Sequence, residues 1–341
     1  MIDIDIAVIG SGLAALKAIS TAKKHSKSYI AIDSTYSVGG YIQSIGRVYR
    51  YLKSPLFIPQ KAIDILEENN IKHNIKCYNT IKNILKEGPI DIKIAGYRSI
   101  SIQRNWFKEW LEQKTLCYSN EVFKYIELLL KTSLKEHFIA SNIRKIDLDR
   151  GIVALSNGLI IKFKKLIYTW PLDLLPRYIY GERSREVIEI VKSLNLDYIS
   201  IYTLSYISIE TESRNDIEFY IHGTRASRLH TAIKIPIDGY SITYIVTSYS
   251  SSYPLLPGIT EKLYSEAKKY RLIDTSKTIE YNTSEAIYAL ISNIDRNKFN
   301  ELQQITSEYN IALYGRLGMW RESDIYSMLR EDIHNTLNNL F

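Results

Sequence analysis

The chain has 341 residues, of which 45% are hydrophobic and 24% charged, a composition typical of globular proteins and sufficient for two domains. No apolar run approaches the roughly 18 residues of a membrane-spanning helix, and no basic region precedes the first apolar stretch, so neither a membrane span nor a signal peptide is expected. The net charge of +7 is spread along the chain without a basic run. We therefore expect a solvated basic surface and no nucleic-acid partner.

The two cysteines and six histidines form no recognisable site. Cys77 and Cys117 lie too far apart in sequence for a metal knuckle or a C-x-x-C redox pair, and no histidine pair has the spacing of a helical metal site. We expect two reduced, buried thiols in a cytoplasmic protein. The sequence also lacks a G-x-S-x-G elbow and a Walker loop. It therefore predicts no metal and argues against a hydrolase.

The most informative stretch is residues 5–33. A buried strand at 6–9 leads directly into G-S-G-L-A-A at residues 10–15, and a helix with an apolar face and a second strand ending at Asp33 follow. In this pattern the first glycine makes a tight turn and the second lets the backbone approach a pyrophosphate, which the helix N-terminus binds. The acid accepts hydrogen bonds from a ribose. The stretch predicts a bound dinucleotide, and the alternative is an ordinary βαβ unit whose glycines only make a turn.

The rest of the chain alternates between helical and β-rich patterns. Residues 45–60 are predicted to be a loop and residues 61–135 mainly helical. A meander between the strands of a parallel sheet, followed by a terminal strand, glycine turn and helix, favours FAD over NAD. The other predicted elements are helices at 106–113, 121–131, 184–195, 259–270 and from about Ser323, a meander over 138–163 with an Asn157-Gly158 hairpin, and strands at 166–169, 198–209, 217–222, 231–235, 241–248 and 311–314.

Three segments resemble the flavoproteins that include UDP-galactopyranose mutase, protoporphyrinogen oxidase and amine oxidases. Residues 9–44 carry the glycine turn, the acid and a later glycine pair. Residues 166–181 are similar to the Y-T-G-P-I-D segment of the mutases, including the spacing to a later glycine. Residues 315–324 begin with G-R-L-G and are similar to the G-R-x-G segment of mutases and oxidases alike. A fainter likeness, the T-R pair of the mutases, lies within residues 223–228.

The sequence departs from these patterns at four places. These departures are compatible with FAD binding but argue against carrying over any particular substrate from the family. Tyr41 follows the glycine pair where oxidases usually have Arg and mutases Asn or His. Residues 47–57 replace a glycine-rich segment that contains a histidine. Trp170 replaces a glycine, and Tyr326 falls where the mutases have a second acid.

The resemblance implies an α/β fold, in which a Rossmann-like FAD-binding domain carries an inserted α+β substrate domain. The FAD-binding domain would comprise residues 1–60, 136–183 and 305–341, and the substrate domain residues 61–135 and 184–304. Arg316 either binds an FAD phosphate or pairs with a nearby acid, and Asp324 either lies near the flavin or caps a helix. The residues implied to contact FAD are Gly10, Ser11, Gly12, Leu13, Ala14, Asp33, Ser34, Gly39, Gly40, Tyr41, Ile143, Gly315, Arg316, Asp324 and Ile325.

Three residues are candidates for substrate contact. Arg225 and Arg228 are placed on one strand, where both side chains would face one pocket and bind an anionic group. The alternative is that they are surface arginines on an exposed sheet face. Trp170 either walls the flavin cavity or belongs to the core.

The leading functional hypothesis is an FAD-dependent oxidoreductase that takes a hydride from a small organic substrate. The alternative is a non-redox mutase that uses reduced flavin on a sugar nucleotide. Residues 168–173 and Arg225 favour this mutase, whereas Tyr41, Trp170 and Tyr326 count against it. A flavin-containing RNA-modifying or binding protein is a third class, which only the net charge supports. The sequence assigns neither a catalytic side chain nor an oligomeric state.

Overall fold

The computed structural model describes residues 1–35, 38–59, 63, 75–135, 137–210, 216–324 and 327–328. The chain forms two compact units. Unit 1 comprises Met1–Gly40, Ile126–Leu196 and Asn293–Phe341, and unit 2 comprises Tyr41–Tyr125 and Asp197–Ser292. The sequence set its domain limits at residues 60, 135, 183 and 304, and the assignment of the two parts to FAD and to substrate stays a prediction.

Helices and strands alternate along the described residues. In chain order they are β1 Ile2–Ile9, α1 Leu13–Lys24, β2 Tyr29–Asp33, β3 Ser44–Ile45, β4 Tyr51–Leu52, β5 Lys76–Lys86, α2 Ile90–Ile94, α3 Trp106–Glu112, β6 Thr115–Tyr118, α4 Asn120–Leu134, β7 Phe138–Ala140, β8 Ile143–Asp147, β9 Ile152–Leu155, β10 Ile160–Tyr168, β11 Ile179–Tyr180, α5 Ser184–Ser193, β12 Tyr198–Ile209, β13 Asp216–His222, β14 Thr231–Ile237, β15 Tyr240–Tyr249, α6 Ile259–Lys269, β16 Thr278–Ile291, α7 Arg296–Glu308, β17 Ile311–Leu313 and α8 Gly315–Gly318.

Unit 1 is built on a sheet in which β7, β2, β1, β10 and β17 pair in parallel, and β8 and β11 form a further parallel pair. The central strand, β1, is buried over Ile6–Ile9, as expected for an apolar run with sheet neighbours on both sides. Helix α1 follows it and buries Ala15, Ala18, Ile19 and Ala22 at helical spacing. The predicted strand–turn–helix–strand unit is therefore present, and its turn lies at the carboxyl end of β1.

The predicted meander is present from residue 143, as β8, β9 and the first part of β10, whereas residues 138–140 form β7 and pair in parallel with β2. Asn157-Gly158 lies in the β9–β10 turn, where Leu155 N donates to Leu159 O at 2.9 Å. Strand β10 continues without a break to Tyr168, so the separate strand predicted at 166–169 is the second half of β10. In this half β10 pairs in parallel with both β1 and β17.

Unit 2 contains a seven-stranded sheet in the order β16-β12-β15-β14-β13-β5-β6. The strands pair antiparallel, except that β13 and β5 are parallel. Helix α6 packs on one face of this sheet, where Leu263 and Ala267 are fully buried with Leu204 of β12. The sequence predicted four of these strands and the helix close to their observed limits.

The prediction that residues 61–135 are mainly helical is wrong for β5 and β6, and residues 61–62 and 64–74 lie outside the described residues. Strand β5 has its isoleucines at 81 and 84, a spacing that suits one face of a helix and puts the two side chains on opposite faces of a strand. Both side chains are exposed, and only Tyr78 in this strand is buried. The strand is thus defined by its pairing with β13 and β6, which the local pattern does not reveal. The predicted helices at 106–113 and 121–131 do occur, as α3 and within α4.

The two cysteines form a disulfide, and the expectation of two reduced, buried thiols is wrong, since Cys77 is also exposed and only Cys117 is buried. Cys77 of β5 and Cys117 of β6 are directly opposite each other in the antiparallel pair, and their sulfurs are bonded. Their separation of 40 residues in sequence gave no indication of this pairing, because neither strand was predicted.

Candidate functional site

The turn after β1 requires glycine at its first position. Gly10 has φ of +123°, and a Cβ atom there would come closer than 3.0 Å to Thr169 Oγ1. Thr169 follows β10, and its hydroxyl donates to Ile9 O at 2.6 Å. The ends of β1 and β10 are thus joined directly beneath the turn. This is the edge where ligands bind in open parallel sheets, just beyond the carboxyl ends of the strands.

The second glycine leaves open space at the start of α1. No atom of the described chain lies within 4 Å of the position that a Cβ on Gly12 would occupy. Gly12 is the N-cap of α1, and no side chain of the described residues caps the helix there. The first-turn amides of a twelve-residue helix therefore face this space with the partial positive charge of the helix N-terminus.

Asp33 ends β2 beside the turn, as the sequence predicted. Its Oδ2 atom accepts a hydrogen bond from the buried hydroxyl of Ser11 at 2.7 Å, and Ser34 Oγ lies 3.4 Å from its other oxygen. Ser141 N donates to Asp33 O at 2.8 Å, so the chain after β7 passes this point before β8 begins at the buried Ile143.

The glycine pair lines the same turn. Gly39 has φ of +120°, and its N–H donates to Ser11 O at 3.0 Å. Gly40 has φ of +56°, and a Cβ there would lie 3.8 Å from Gly12 Cα. Both positions require conformations that favour glycine, and both bring backbone close to the space described above. Tyr41, the next residue, is part of a short 3-10 helix over Gly40–Ile42.

The G-R-L-G segment reaches the first turn of α1 from the other end of the chain. Gly315 has φ of +76°, and a Cβ on it would lie 2.5 Å from Ala14 Cβ. Tyr314 N donates to Tyr168 O at 2.9 Å, which places β17 and the turn after it beside β10. The structure therefore brings parts of three sequence segments to one edge of the sheet in unit 1, namely residues 10–14, residues 33–34 with 39–40, and residues 315–318.

The sequence left two alternatives open for Arg316 and two for Asp324, and the structure shows a contact that matches one alternative for each residue. Arg316 makes two hydrogen bonds to Glu322, from Nε at 2.7 Å and from Nη2 at 2.8 Å, and both side chains are largely buried. Asp324 Oδ1 accepts from Ser327 N at 2.7 Å, the geometry of a helix cap. The structure thus contains the ion pair between Arg316 and Glu322 and the helix cap formed by Asp324. Ile325, Tyr326 and most of the predicted closing helix lie outside the described residues.

Trp170 flanks the glycine turn. Its Cδ1 atom would lie 3.5 Å from a Cβ on Gly10, and its ring packs edge-to-face on Tyr178 with centroids 6.0 Å apart. The side chain is half-buried. Trp170 thus lies beside the carboxyl ends of β1 and β10, at the rim of this edge of the sheet, instead of inside the core.

Arg225 and Arg228 lie in the loop between β13 and β14, so their placement on a strand is wrong. The guanidinium carbon of Arg225 is 4.2 Å from the ring centroid of Tyr97, and that of Arg228 is 3.8 Å from the ring of Tyr253. The two rings meet edge-to-face at 4.8 Å. We call these four side chains the Arg–Tyr cluster. Neither arginine has a carboxylate partner among the residues that the structure describes, and Arg228 Nη1 donates to Pro254 O at 3.4 Å.

A buried lysine fixes one side of the loop that carries the arginines. Lys93 is 1% exposed, and its ammonium group donates to the carbonyl oxygens of His222 at 2.8 Å, Thr224 at 2.7 Å and Leu229 at 2.6 Å. Burial lowers the pKa of Lys93 to about 7, and the nearby carboxylate of Glu266 opposes this shift.

Glu266 of α6 fixes the other side of the loop. This buried carboxylate accepts from Ser227 Oγ at 2.7 Å, Arg228 N at 2.9 Å and Leu229 N at 2.9 Å. Sequence reasoning missed both residues. Lys93 stands in an I-D-I-K-I segment and Glu266 in an amphipathic helix, and neither pattern distinguishes them from surface charges.

Other kinds of site find no support in the described part of the chain. No three His, Cys, Asp or Glu side chains there are arranged to hold a metal ion. Among the helices that the structure describes, none is long and apolar enough to cross a membrane.

Comparison with known proteins identifies the fold. No family profile matches the chain, and no curated protein matches it in sequence. Reduced UDP-galactopyranose mutase superposes with a TM-score of 0.73 at 14% identity, over 99% of this chain and 95% of that one. Putrescine oxidase bound to putrescine gives 0.63 at 11% identity over 99% of both chains. A CLA-producing fatty acid isomerase from P. acnes gives 0.61 at 12% identity, over 90% and 92%. The predicted fold, that of this flavoprotein group, is confirmed.

Proposed function

We propose that the protein is an FAD-dependent enzyme whose substrate is a small molecule with an anionic group. FAD is the cofactor that the edge of unit 1 fits. The open space at Gly12 and the uncapped start of α1 suit a pyrophosphate, and Asp33 suits a ribose. Bound FAD would supply a flavin that either accepts a hydride or, once reduced, acts as a nucleophile.

The Arg–Tyr cluster carries the proposal about the substrate. Two guanidinium groups held on tyrosine rings, without carboxylate partners in the described chain, provide the planar donors that bind phosphate or carboxylate in pairs. Lys93 and Glu266 hold the loop by backbone bonds on both sides, so little conformational freedom remains to be lost when an anion binds.

For the reaction we place first a non-redox rearrangement of a sugar nucleotide, the mutase alternative. Two arginines suit the two phosphates of a nucleoside diphosphate, and Arg225 belongs to the T-R pair that resembles the mutases. The fold permits this reaction, since UDP-galactopyranose mutase superposes over 99% of this chain with a TM-score of 0.73.

The second candidate is an oxidoreductase that takes a hydride from its substrate. Trp170 favours this reaction, because an indole at the rim of the ligand edge adds apolar bulk where the mutase pattern has a glycine. A more apolar, water-poor site suits hydride transfer.

Spectroscopy of the FAD-loaded protein under anaerobic conditions distinguishes these proposals. If the mutase proposal is correct, UDP binds, and UDP-galactopyranose is converted only after dithionite reduction. If the second candidate is correct, a substrate such as an amine bleaches the oxidised flavin band without dithionite. A protein that retains no flavin after incubation with FAD and removal of the unbound FAD would contradict both.

Variants of the Arg–Tyr cluster test the substrate proposal separately. Arg225→Ala and Arg228→Ala should each weaken UDP binding by about tenfold or more, since each removes charge-assisted hydrogen bonds worth roughly 1.5–3 kcal/mol. Arg177→Ala, at an exposed arginine of unit 1, is the control and should bind normally. Unchanged binding in both cluster variants would exclude the cluster as the anion site, while the FAD spectrum reports on the cofactor independently.

A further inference from the structure

Strand β16 leaves a long edge at one end of the unit 2 sheet. It has 14 residues and pairs with β12 on one side. Over residues 278–287, none of the described strands pairs with its other side. Its last residues differ, because Gln103 N donates to Ile291 O at 3.0 Å. An edge of this length presents a row of backbone donors and acceptors to any strand that can approach.

The exposed face of this edge carries a single charged side chain, Glu285. Every second residue from Ile279 to Ile287 is exposed on one face, and Tyr281 and Ile287 are 62% and 50% exposed. The opposite face is covered, since Asn282 Nδ2 donates to Tyr51 Oη at 3.1 Å. Natural edge strands are usually blocked by Lys, Pro or shortness, and β16 contains neither residue type. An exposed apolar face beside free sheet backbone is typical of an interface.

The sequence of the exposed face is self-complementary. If a second copy of β16 pairs antiparallel about a two-fold axis at Thr283, Ile279 lies opposite Ile287 of the second copy. Tyr281 then lies opposite Glu285 of the second copy, and Thr283 lies opposite itself. Apolar residues meet apolar residues, and Glu285, which already accepts from Tyr249 Oη at 3.0 Å, also meets the hydroxyl of Tyr281 of the second copy. An axis at Glu285 would instead oppose two carboxylates.

We infer that the protein forms a homodimer in which the two β16 strands pair in this register and join the two sheets. The occupant is a second copy because the pattern matches its own reverse about a two-fold axis, as a symmetric interface requires. The pairing buries the exposed isoleucines of both copies against each other. It makes no use of the residues proposed for FAD or for the anionic substrate.

Charge substitutions at Tyr281 test both the interface and its register. In sedimentation equilibrium of the full chain, Tyr281→Glu should raise the dimer Kd about tenfold, because it opposes two carboxylates and the two-fold axis repeats the change. Tyr281→Lys should keep or strengthen the dimer, since it faces Glu285. The double variant Tyr281→Glu/Glu285→Lys should restore it. Ile84→Glu, at an isoleucine of β5 that is 51% exposed, is the control and should dimerise normally.

Cysteine cross-linking gives a second measurement of the register. Thr283→Cys should form an intermolecular disulfide under mild oxidation by oxidised glutathione, because the two thiols face each other across the axis. Glu285→Cys, which lies opposite Tyr281 of the second copy, should cross-link much less. A wild-type protein that stays monomeric at about 100 μM, far above a typical specific Kd, would overturn the inference. Equal effects of Glu and Lys at position 281, or equal cross-linking at 283 and 285, would also overturn it.

Discussion

Substitution of Gly10 by alanine should destabilise the turn after β1 in two separable ways. The φ of +123° is unfavourable for a residue with a Cβ and costs about 1–3 kcal/mol. Overlap of that Cβ with Thr169 Oγ1 adds about 1–3 kcal/mol, as overpacking does elsewhere. The expected loss in the free energy of unfolding is therefore about 2–6 kcal/mol, the sum of these two terms. FAD binding should weaken with it.

Thr169→Ala separates the two contributions. Alone it removes the hydrogen bond to Ile9 O and costs about 1 kcal/mol. Combined with Gly10→Ala it removes the overlap, because the next atom, Thr169 Cβ, lies at an ordinary 3.5 Å. Urea unfolding of the wild type, the two single variants and the double variant should show that the double variant is more stable by about 1–3 kcal/mol than the sum of the two single effects predicts. Additive effects would refute the reasoning.

Gly12→Ala is the contrasting control for the cofactor site. Its φ of −92° suits alanine, and apart from Gly12 and its two neighbours in the chain no atom of the described residues lies within 4 Å of the new Cβ. Stability should change by no more than about 1 kcal/mol, the cost of an alanine N-cap. FAD affinity should nevertheless fall about tenfold or more, because the methyl group occupies the space proposed for the pyrophosphate. An unchanged FAD titration would contradict the site.

Three further predictions concern other parts of the molecule. Replacing Cys77 and Cys117 by serine should lower the free energy of unfolding by about 4 kcal/mol in urea denaturation, from the entropy of a cross-link across 40 residues. Asp33→Asn should weaken FAD binding about tenfold by calorimetry, because it removes a charged acceptor. Burial lowers the pKa of Lys93 to about 7, so the unfolded chain binds a proton there that the native chain lacks above that pH. The stability of the wild type relative to Lys93→Met should therefore rise between about pH 7 and 10 in urea titrations, and a constant difference would contradict this assignment.

The edge of unit 1 proposed for FAD, the cofactor edge, has a geometry that was predictable because its signals are local. The strand, the Gly10–Gly12 turn, the helix and Asp33 are contiguous in sequence, and each residue type has one geometric reason to be there. Gly315 was found in the same way, from a glycine directly after an apolar strand. Short-range patterns of this kind survive folding, since the turn conformation itself demands the glycine.

The loop with the arginines was not predictable because its structure depends on distant residues. The position of Arg228 depends on Glu266, 38 residues later, and Lys93 bonds to carbonyl groups more than 125 residues away. Neither charge belongs to a motif. The same reason explains the missed disulfide, since Cys77 and Cys117 meet only when two unpredicted strands pair.

This difference between local and distant determinants makes the two halves of the functional proposal separable. The cofactor edge uses contacts within unit 1, such as those of Gly10 with Thr169 and of Gly315 with Ala14. The Arg–Tyr cluster uses contacts within unit 2, held by Lys93 and Glu266. A substitution in one set should therefore leave the other intact. A change at Glu266 that weakens UDP binding but preserves the flavin spectrum would identify a substrate-positioning residue, because a general loss of folding would reduce both. The choice between the two reactions then depends on the flavin's redox state during turnover, which neither set of contacts determines.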